Sequence, residues 1–399
     1  MQSKIIKLPK FEDCTGCMAC TDVCAHHALT VMKNQRGFYQ IKYDADKCVG
    51  CNLCSQVCPV LKKPDVADSV RIDHPLSYMG WSLSDATLKT VASGGAFTEI
   101  AASLFSTYDK VAIVGAVWNA DTQKVQHEII YDASDLKRFQ SSKYLQSDCR
   151  GIYHAVKKLL SRGYYVLFSG TPCQVSAVQN LCRKWTNSLF TVEVICHGVP
   201  SFDILDAALS YYNAAELISF RNKERGWYQS QVCTYRMANG KVVTPLGDVF
   251  YKMFLSEYFT RPSCVDCHYA SMPRFADFTI GDFWGKNKSK NDKGTSLVFV
   301  NTHKGKSILS SIHMQMASVE YDEVISNSSR LTSNLYAPLK NYPKLFWTEE
   351  YLKMLKGNLL CKIWFKAWNK LVARRINKKE EIVRKNLEVY EKNRHNYHP

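Results

Sequence analysis

Half of the chain's sixteen cysteines lie in its first sixty residues, in two runs of identical spacing. The runs are Cys14-x2-Cys17-x2-Cys20-x3-Cys24 and Cys48-x2-Cys51-x2-Cys54-x3-Cys58. In two-cluster iron–sulfur proteins with this spacing, three thiolates of a run bind one cluster and the fourth binds the other. The spacing therefore predicts two 4Fe–4S clusters with crossed ligands, namely Cys14, Cys17, Cys20 and Cys58 for one and Cys48, Cys51, Cys54 and Cys24 for the other.

Zinc sites and redox disulfides explain this duplicated run less well. Structural zinc uses two separated pairs or a similar set of four ligands, and neither chemistry needs the same run of four twice. Residues 1–62 resemble a bacterial two-cluster ferredoxin, so we expect an α+β, ferredoxin-like domain there.

Four later cysteines form a second group of candidate ligands. Cys173 and Cys196 each follow an apolar run of strand length, and open α/β sheets bind ligands at the carboxyl ends of their strands. Cys264 and Cys267 add a C-x2-C pair. These thiols suffice for a third cluster, but packed core cysteines, or a zinc site that includes His268, fit the spacing equally well.

The elements that must position these residues are strands and helices in alternation. Apolar runs at 111–118, 164–168 and 190–195 are separated by helical stretches, which predicts an α/β domain with parallel strands. Ser93 precedes two glycines and a helical stretch, so we expect it to cap a helix whose amino terminus can receive phosphate. A capped helix start without a ligand fits the same pattern.

Four phrases in a fixed order resemble the beta subunits of coenzyme F420-reducing hydrogenases and dehydrogenases. They are Ser93-Gly94-Gly95, Ser142-Lys143-Tyr144-Leu145-Gln146-Ser147, Gly170-Thr171-Pro172-Cys173-Gln174 and Cys196-His197-Gly198-Val199-Pro200-Ser201. The C-x2-C pair and the phrase at 280–285 extend the resemblance to about residue 300. We therefore expect residues 75–163 and 164–345 to be the two parts of a beta-subunit-like flavin module, the second with a third iron–sulfur site.

The resemblance implies an iron–sulfur flavoprotein that carries FAD, with a third 4Fe–4S cluster held by Cys173, Cys196, Cys264 and Cys267. The flavin contacts that it suggests are Ser93, Gly94, Gly95, Lys143, Tyr144, Gln146, Ser147 and Thr171. Lys223 is added because it belongs to a cluster of three cations beside aromatic residues at 220–227. Each has a plainer interpretation: Lys143 as a solvated charge, Gln146 and Ser147 as turn residues, Lys223 as part of a surface loop. No catalytic residue is assigned.

Electron counting independently favours a flavin. Iron–sulfur clusters deliver single electrons, whereas reducing an organic carbon usually takes a hydride, and a flavin converts one into the other. No G-x-G-x-x-G follows a strand, so the sequence does not predict an NAD(P) site of the Rossmann type.

Composition places the chain among folded proteins, with 46% hydrophobic and 22% charged residues. It has no apolar run long enough to span a membrane and no signal-peptide core, so we expect a cytoplasmic protein whose thiols bind metal. The net charge of +16 is concentrated at the end, where residues 351–399 hold thirteen Lys and Arg against four Glu. Residues 346–399 are predicted to form a basic amphipathic helical tail, which either contacts a membrane peripherally or docks on the body.

Together these features predict an oxidoreductase that passes electrons from ferredoxin or a partner protein through 4Fe–4S clusters to FAD. An organic acceptor then takes a hydride; coenzyme F420 and a biosynthetic intermediate, for example in cell-surface polysaccharide synthesis, are both candidates. The main alternative is a non-catalytic electron-relay subunit of a larger redox complex. A nucleic-acid-binding regulator is disfavoured, because no basic reading helix occurs outside the tail.

Overall fold

The computed structural model describes residues 6–64, 70–256, 259–285, 292–326 and 330–331. The predicted basic tail at 346–399 lies outside these ranges. Within them, no helix combines the length and the apolar character that a membrane span requires.

Within these ranges, the strands are β1 (Leu29–Lys33), β2 (Tyr39–Tyr43), β3 (Arg71–Ser82), β4 (Val111–Asn119), β5 (Lys124–Ile130), β6 (Tyr165–Gly170), β7 (Leu189–Val194), β8 (Ala214–Ser219), β9 (Thr234–Met237), β10 (Val242–Val243), β11 (Phe278–Asp282), β12 (Ser296–Thr302) and β13 (Met314–Ser318). The α-helices are α1 (Ala19–Asp22), α2 (Leu53–Val57), α3 (Asp85–Thr90), α4 (Ala96–Thr107), α5 (Ile152–Ser161), α6 (Pro172–Leu181), α7 (Asp203–Tyr212), α8 (Val249–Ser256), α9 (Pro262–Val265), α10 (His303–Ser307) and α11 (Tyr321–Ser326).

The amino-terminal segment repeats one local structure twice. In each cysteine run a glycine with positive φ, Gly16 (67°) or Gly50 (75°), is followed two residues later by a left-handed residue, Met18 or Asn52, that begins a short helix. Between the two copies, β1 and β2 form an antiparallel hairpin. This α+β arrangement agrees with the ferredoxin-like prediction for residues 1–62.

The body is built on an eight-stranded sheet with the order β13-β3-β12-β11-β7-β6-β4-β5. The predicted apolar runs are β4, β6 and β7, which pair in parallel because helices connect them. The sheet is nevertheless mixed, whereas parallel strands were predicted: β5, β12, β3 and β13 pair antiparallel at its two sides. Since β4 pairs with β6, the two predicted parts of the flavin module share one sheet.

The amino-terminal segment packs tightly on this body. Helix α5 starts at Gly151, which has no side chain to cap it; instead the Asp22 carboxylate accepts hydrogen bonds from the backbone N–H of Gly151 (2.7 Å) and Tyr153 (3.0 Å). The Tyr153 hydroxyl donates to the Cys17 carbonyl at 2.9 Å, and Cys17 shares a buried apolar cluster with Val175 of α6. The cysteine repeat and the sheet therefore share a core.

A buried ion pair lies beside the central strands. Glu193 of β7 and Arg274 are almost fully buried and 3.4 Å apart, and the Thr279 hydroxyl donates to the same carboxylate.

We expect Glu193→Gln to lower the free energy of unfolding by about 3–5 kcal/mol, because it leaves a buried guanidinium without its carboxylate. Chemical denaturation measures this, with Glu216→Gln as control; Glu216 forms an exposed pair with Arg236 whose loss should cost at most about 1 kcal/mol. Equal effects of the two substitutions would contradict the prediction.

Candidate functional site: three groups of cysteines and one cleft

The first thiol group lines one cavity under the amino-terminal repeat. Cys14, Cys17, Cys20 and Cys58 all face it, together with apolar residues such as Leu8 and Ile41. Burial raises the pKa of the Cys17 and Cys20 thiols, and repulsion from neighbouring thiols of the group adds to the effect. Iron binding would thus displace protons from these sulfurs. The cavity groups the cysteines as the crossed arrangement requires.

The second thiol group lines a separate, smaller cavity. Cys24, Cys48, Cys51 and Cys54 face it, beside Val49 and Leu53. Cys51, Val49 and Leu53 are exposed, so this cavity opens toward solvent. Because Cys24 lies here and not with its own run, the two halves of the repeat exchange their fourth cysteines, as the spacing predicts.

The third group lines a cleft of about 360 Å³ at the carboxyl ends of β6 and β7. Its thiols belong to the β6–α6 turn, to the segment after β7 and to the region of α9: Cys173, Cys196, Cys264 and Cys267. Burial raises the pKa of Cys173, and the other three thiols add to this; burial, Cys267 and Cys196 raise the pKa of Cys264 to about 12. The four sulfurs are therefore close enough to interact with one another.

One local feature recurs in all three groups. Cys14, Cys48 and Cys196 are each followed two residues later by a glycine with positive φ, whose N–H donates to the cysteine Sγ at 3.4 Å. Such N–H···S bonds stabilise the thiolate of a cluster ligand and influence the cluster potential. This Cys-x-Gly pattern is readable from the sequence, although it was not among the predictions. Cys196 shares it with Cys14 and Cys48.

Among the residues that the structure describes, no three His, Cys, Asp or Glu side chains are placed to hold a single metal ion.

The predicted helix start at Ser93-Gly94-Gly95 has a different cap from the one expected. Helix α4 begins after Gly95, which has a positive φ and no side-chain cap, while the Ser93 hydroxyl donates to the Thr295 carbonyl at 2.8 Å. The predicted cap by Ser93 is therefore wrong. A Cβ on Gly94 would lie 2.3 Å from the Gly80 carbonyl oxygen, so strand packing already requires that glycine. Ser93 and Gly95 line the cleft.

Lys143 and Tyr144 also line the cleft, in different environments. The Lys143 ammonium donates to the carbonyls of Phe139, Gln140 and Ser141 at 2.8, 2.8 and 3.1 Å, which stabilises its own loop. Burial lowers the pKa of Lys143 to about 7. Tyr144 belongs to an aromatic cluster with Phe220, Tyr251 and Phe254.

Gln146, Ser147 and Thr171 form a polar wall of the cleft. Gln146 donates to the carbonyls of Thr15 and Gly16 at 2.9 Å, so it ties the first cysteine run to the body. Ser147 accepts from Gln174, and Thr171 caps α6 with the same Gln174 in a capping box. The side chains of Gln146 and Ser147 thus bond to distant segments and do not close a local turn, and all three residues face the cleft.

Lys223 does not lie with the other predicted contacts. Its ammonium donates to the carbonyls of Leu88 and Lys293, and it is not among the residues that line the cleft. Arg221, two residues earlier, does line the cleft and forms a 2.8 Å ion pair with Asp282.

A buried histidine that the sequence analysis did not select also faces the cleft. The Nε2 of His127 lies 2.9 Å from the Ser169 carbonyl, and its Nδ1 lies 3.3 Å from the Cys149 sulfur. Burial lowers the pKa of His127 to about 4, so the ring is neutral near pH 7 and its Nε2 carries the proton that the carbonyl accepts. No sequence signal marks this residue, because its partners, Ser169 and Cys149, come from two other segments of the chain.

Two family comparisons match the regions that hold the cysteines. Residues 13–61 match the 4Fe–4S dicluster domain, and residues 164–324 match the family described as the C terminus of the coenzyme F420 hydrogenase/dehydrogenase beta subunit. Residues 164–324 are thus similar to the C terminus of these beta subunits. The first match contains all eight amino-terminal cysteines, and the second contains the four cysteines of the cleft.

Three individual proteins are also similar to the chain or to parts of it. An F(420)H(2) dehydrogenase subunit of Methanosarcina mazei is 22% identical over 335 residues, 80% of this chain and 88% of the relative. An uncharacterized ferredoxin of Methanocaldococcus jannaschii is 40% identical over 48 residues, 12% of this chain and 61% of the ferredoxin. A chain of the F420-reducing NiFe hydrogenase complex from Methanosarcina barkeri is 16% identical, with a TM-score of 0.44 over 78% of this chain and 92% of that chain.

These matches support an iron–sulfur redox protein whose amino-terminal segment carries two 4Fe–4S clusters, as the sequence predicts. The match at residues 164–324 and the relative in M. mazei confirm the resemblance that the four phrases indicate.

Proposed function

We propose that the protein is an iron–sulfur flavoprotein oxidoreductase. Electrons from ferredoxin or a partner protein pass through two amino-terminal 4Fe–4S clusters and a third, held by Cys173, Cys196, Cys264 and Cys267, to FAD. An organic acceptor is then reduced by hydride transfer. The observation that carries the proposal is a single cleft that contains these four thiols and also the polar loops suggested as flavin contacts.

Contacts between the first thiol group and the cleft support an order for the electron path. Thr15 lines both the first cavity and the cleft, and the Cys17 thiol interacts electrostatically with Cys173. The second cavity lies at the exposed end of the repeat. We therefore place the entry of electrons at the Cys48 group and their exit toward the cleft at the Cys14 group.

The cleft offers the chemistry that a flavin dinucleotide needs. The backbone N–H groups at the start of α4, a twelve-residue helix, suit an anionic pyrophosphate. Arg221 supplies a fixed positive charge in the wall, and Tyr144 supplies an aromatic surface. FAD would contribute the conversion of single electrons into a hydride; the residues proposed to hold it are Ser93, Gly95, Tyr144, Thr171 and Arg221.

The acceptor is proposed to be coenzyme F420 or a biosynthetic intermediate. The relative in M. mazei is named as an F(420)H(2) dehydrogenase subunit, which favours the first. The same name favours one alternative, an electron-relay subunit whose chemistry lies on another polypeptide, because it describes one subunit of the dehydrogenase and not the whole.

Anaerobic purification with iron, sulfide and flavin quantitation tests the proposal. We expect about twelve iron atoms per chain, as three four-iron clusters require, and about one FAD. The isolated chain, reduced chemically, should then reduce coenzyme F420 in repeated turnovers. Full cofactor content with turnover only after a partner subunit is added would favour the relay, and about eight irons without flavin would refute the proposal.

A further inference from the structure

Arg261 is a buried charged residue with no carboxylate partner among the residues that the structure describes. Its side chain is fully buried, and its Nη2 has no hydrogen-bond partner. Two other buried arginines, Arg221 and Arg274, are paired with Asp282 and Glu193. An uncompensated buried charge is costly, so a negative group is expected beside Arg261, and the described residues supply none.

One side of Arg261 contacts the first amino-terminal thiol group. Its Nε donates to the Cys14 carbonyl at 2.6 Å, and its Nη1 donates to the Tyr39 carbonyl at 2.9 Å. A Cβ added to Gly16 would lie 2.8 Å from Nη1, so only glycine lets the cysteine loop approach this closely. The guanidinium therefore lies directly against the loop that carries Cys14 and Cys17.

The other side of Arg261 belongs to the cleft. Arg261 immediately precedes α9, its backbone N–H donates to the Val199 carbonyl, and its own carbonyl accepts from the N–H of Cys264. Gln146, which lines the cleft, accepts from Nη1 at 3.3 Å. The rings of Phe11 and Phe38 lie 5.2 and 5.7 Å from the guanidinium carbon and fix its position.

We infer that Arg261 is a fixed positive charge shared by the Cys14 cluster and the cleft cluster, and that it raises the reduction potentials of both. A cluster with four thiolate ligands is negatively charged, and reduction adds one electron to it, so a nearby cation stabilises the reduced state. The guanidinium lies against the Cys14 loop and also interacts electrostatically with Cys264, so the same cation acts on both potentials. For the cleft cluster this inference rests on the proposed function.

The test compares Arg261→Gln with Arg261→Lys, which keeps the charge, and with Arg236→Gln, which removes an exposed arginine of β9. The full chain is loaded with iron anaerobically, and each cluster is titrated with electron paramagnetic resonance as the readout. At a fixed ambient potential we expect the ratio of reduced to oxidised cluster to fall about tenfold at both sites in Arg261→Gln, which is about 59 mV for a one-electron couple. In Arg261→Lys and Arg236→Gln the same ratio should stay within about twofold of the parent's. Both variants keep a positive charge at position 261.

A second variant, Gln146→Glu, keeps the inference testable if Arg261→Gln fails to fold or to bind iron. Gln146→Glu places a carboxylate against Nη1 and neutralises the charge without removing the guanidinium, so it should lower the same potentials. Unchanged potentials in a fully loaded Arg261→Gln, or in Gln146→Glu if the first variant loses iron, would overturn the inference. A potential shift in only one of the two clusters would show that Arg261 does not act on both.

The iron content of the parent protein distinguishes failure of the proposed function from failure of the inference about Arg261. About eight irons would refute the cleft cluster, and with it the proposed function and the sharing. The potential of the Cys14 cluster would still show whether Arg261 acts on that site.

Discussion

Replacing Cys173 by alanine should lower the iron content from about twelve to about eight atoms per chain and abolish reduction of the acceptor. Cys173 is one of four mutually interacting thiols in the cleft, and its loss would leave the proposed third cluster with only three protein ligands. The two amino-terminal clusters should remain, because their eight ligands lie in separate cavities. Iron analysis and paramagnetic resonance of the reduced protein measure both effects.

Cys182→Ala is the matched control for this experiment. Cys182 is a buried thiol at the end of the same helix, α6, and it packs in the apolar core outside the cleft. The Cys182→Ala protein should therefore keep the full iron content of the parent. Unchanged iron in Cys173→Ala, or equal losses in both variants, would show that the cleft holds no cluster.

Replacing Cys58 by alanine should disrupt the cluster of the Cys14 group and spare the cluster of the Cys48 group, although Cys58 belongs to the second run. The reason is geometric, since Cys58 faces the cavity of Cys14, Cys17 and Cys20. About four irons should be lost. Because the Cys14 group adjoins the cleft, transfer to the cleft cluster should stop as well.

Cys24→Ala is the reciprocal variant, and it should disrupt the Cys48 cluster instead. The two proteins would then show different remaining signals in redox titration, since one keeps a cluster beside Arg261 and the other keeps the exposed one. Identical remaining signals, or loss of the Cys48 cluster on replacing Cys58, would contradict the crossed arrangement.

Local spacing explains which parts of the site were predictable. The eight amino-terminal cysteines follow a run whose geometry is set within a few residues, and β4, β6 and β7 are continuous apolar runs because helices and strands cover both faces of the sheet. Cys173 and Cys196 could be placed at strand ends for the same reason. The family phrases then brought Cys264 and Cys267 to the same group.

Interactions between distant segments explain what was missed. The hydroxyl of Ser93 donates to the carbonyl of Thr295, about two hundred residues away. Its predicted role as the cap of α4, which rested on local preference alone, was therefore wrong. Arg261 and Gln146 have ordinary neighbours in sequence, and their contacts with Thr15, Gly16 and Cys14 exist only in the folded chain. Lys223 was selected from a cluster of cations, whereas its ammonium is used by the carbonyls of Leu88 and Lys293.

The Asp22 carboxylate, which caps the start of α5, makes folding of the body depend on whether the amino-terminal cysteines have bound iron. Asp22 lies between Cys20 and Cys24, so its position depends on segments that bind different clusters, and metal binding is folding free energy in such segments. A newly synthesised chain without iron would leave the start of α5 uncapped and the core around Cys17 incomplete. We expect such a chain to be cleared by cellular proteases, so that the protein's abundance follows iron availability.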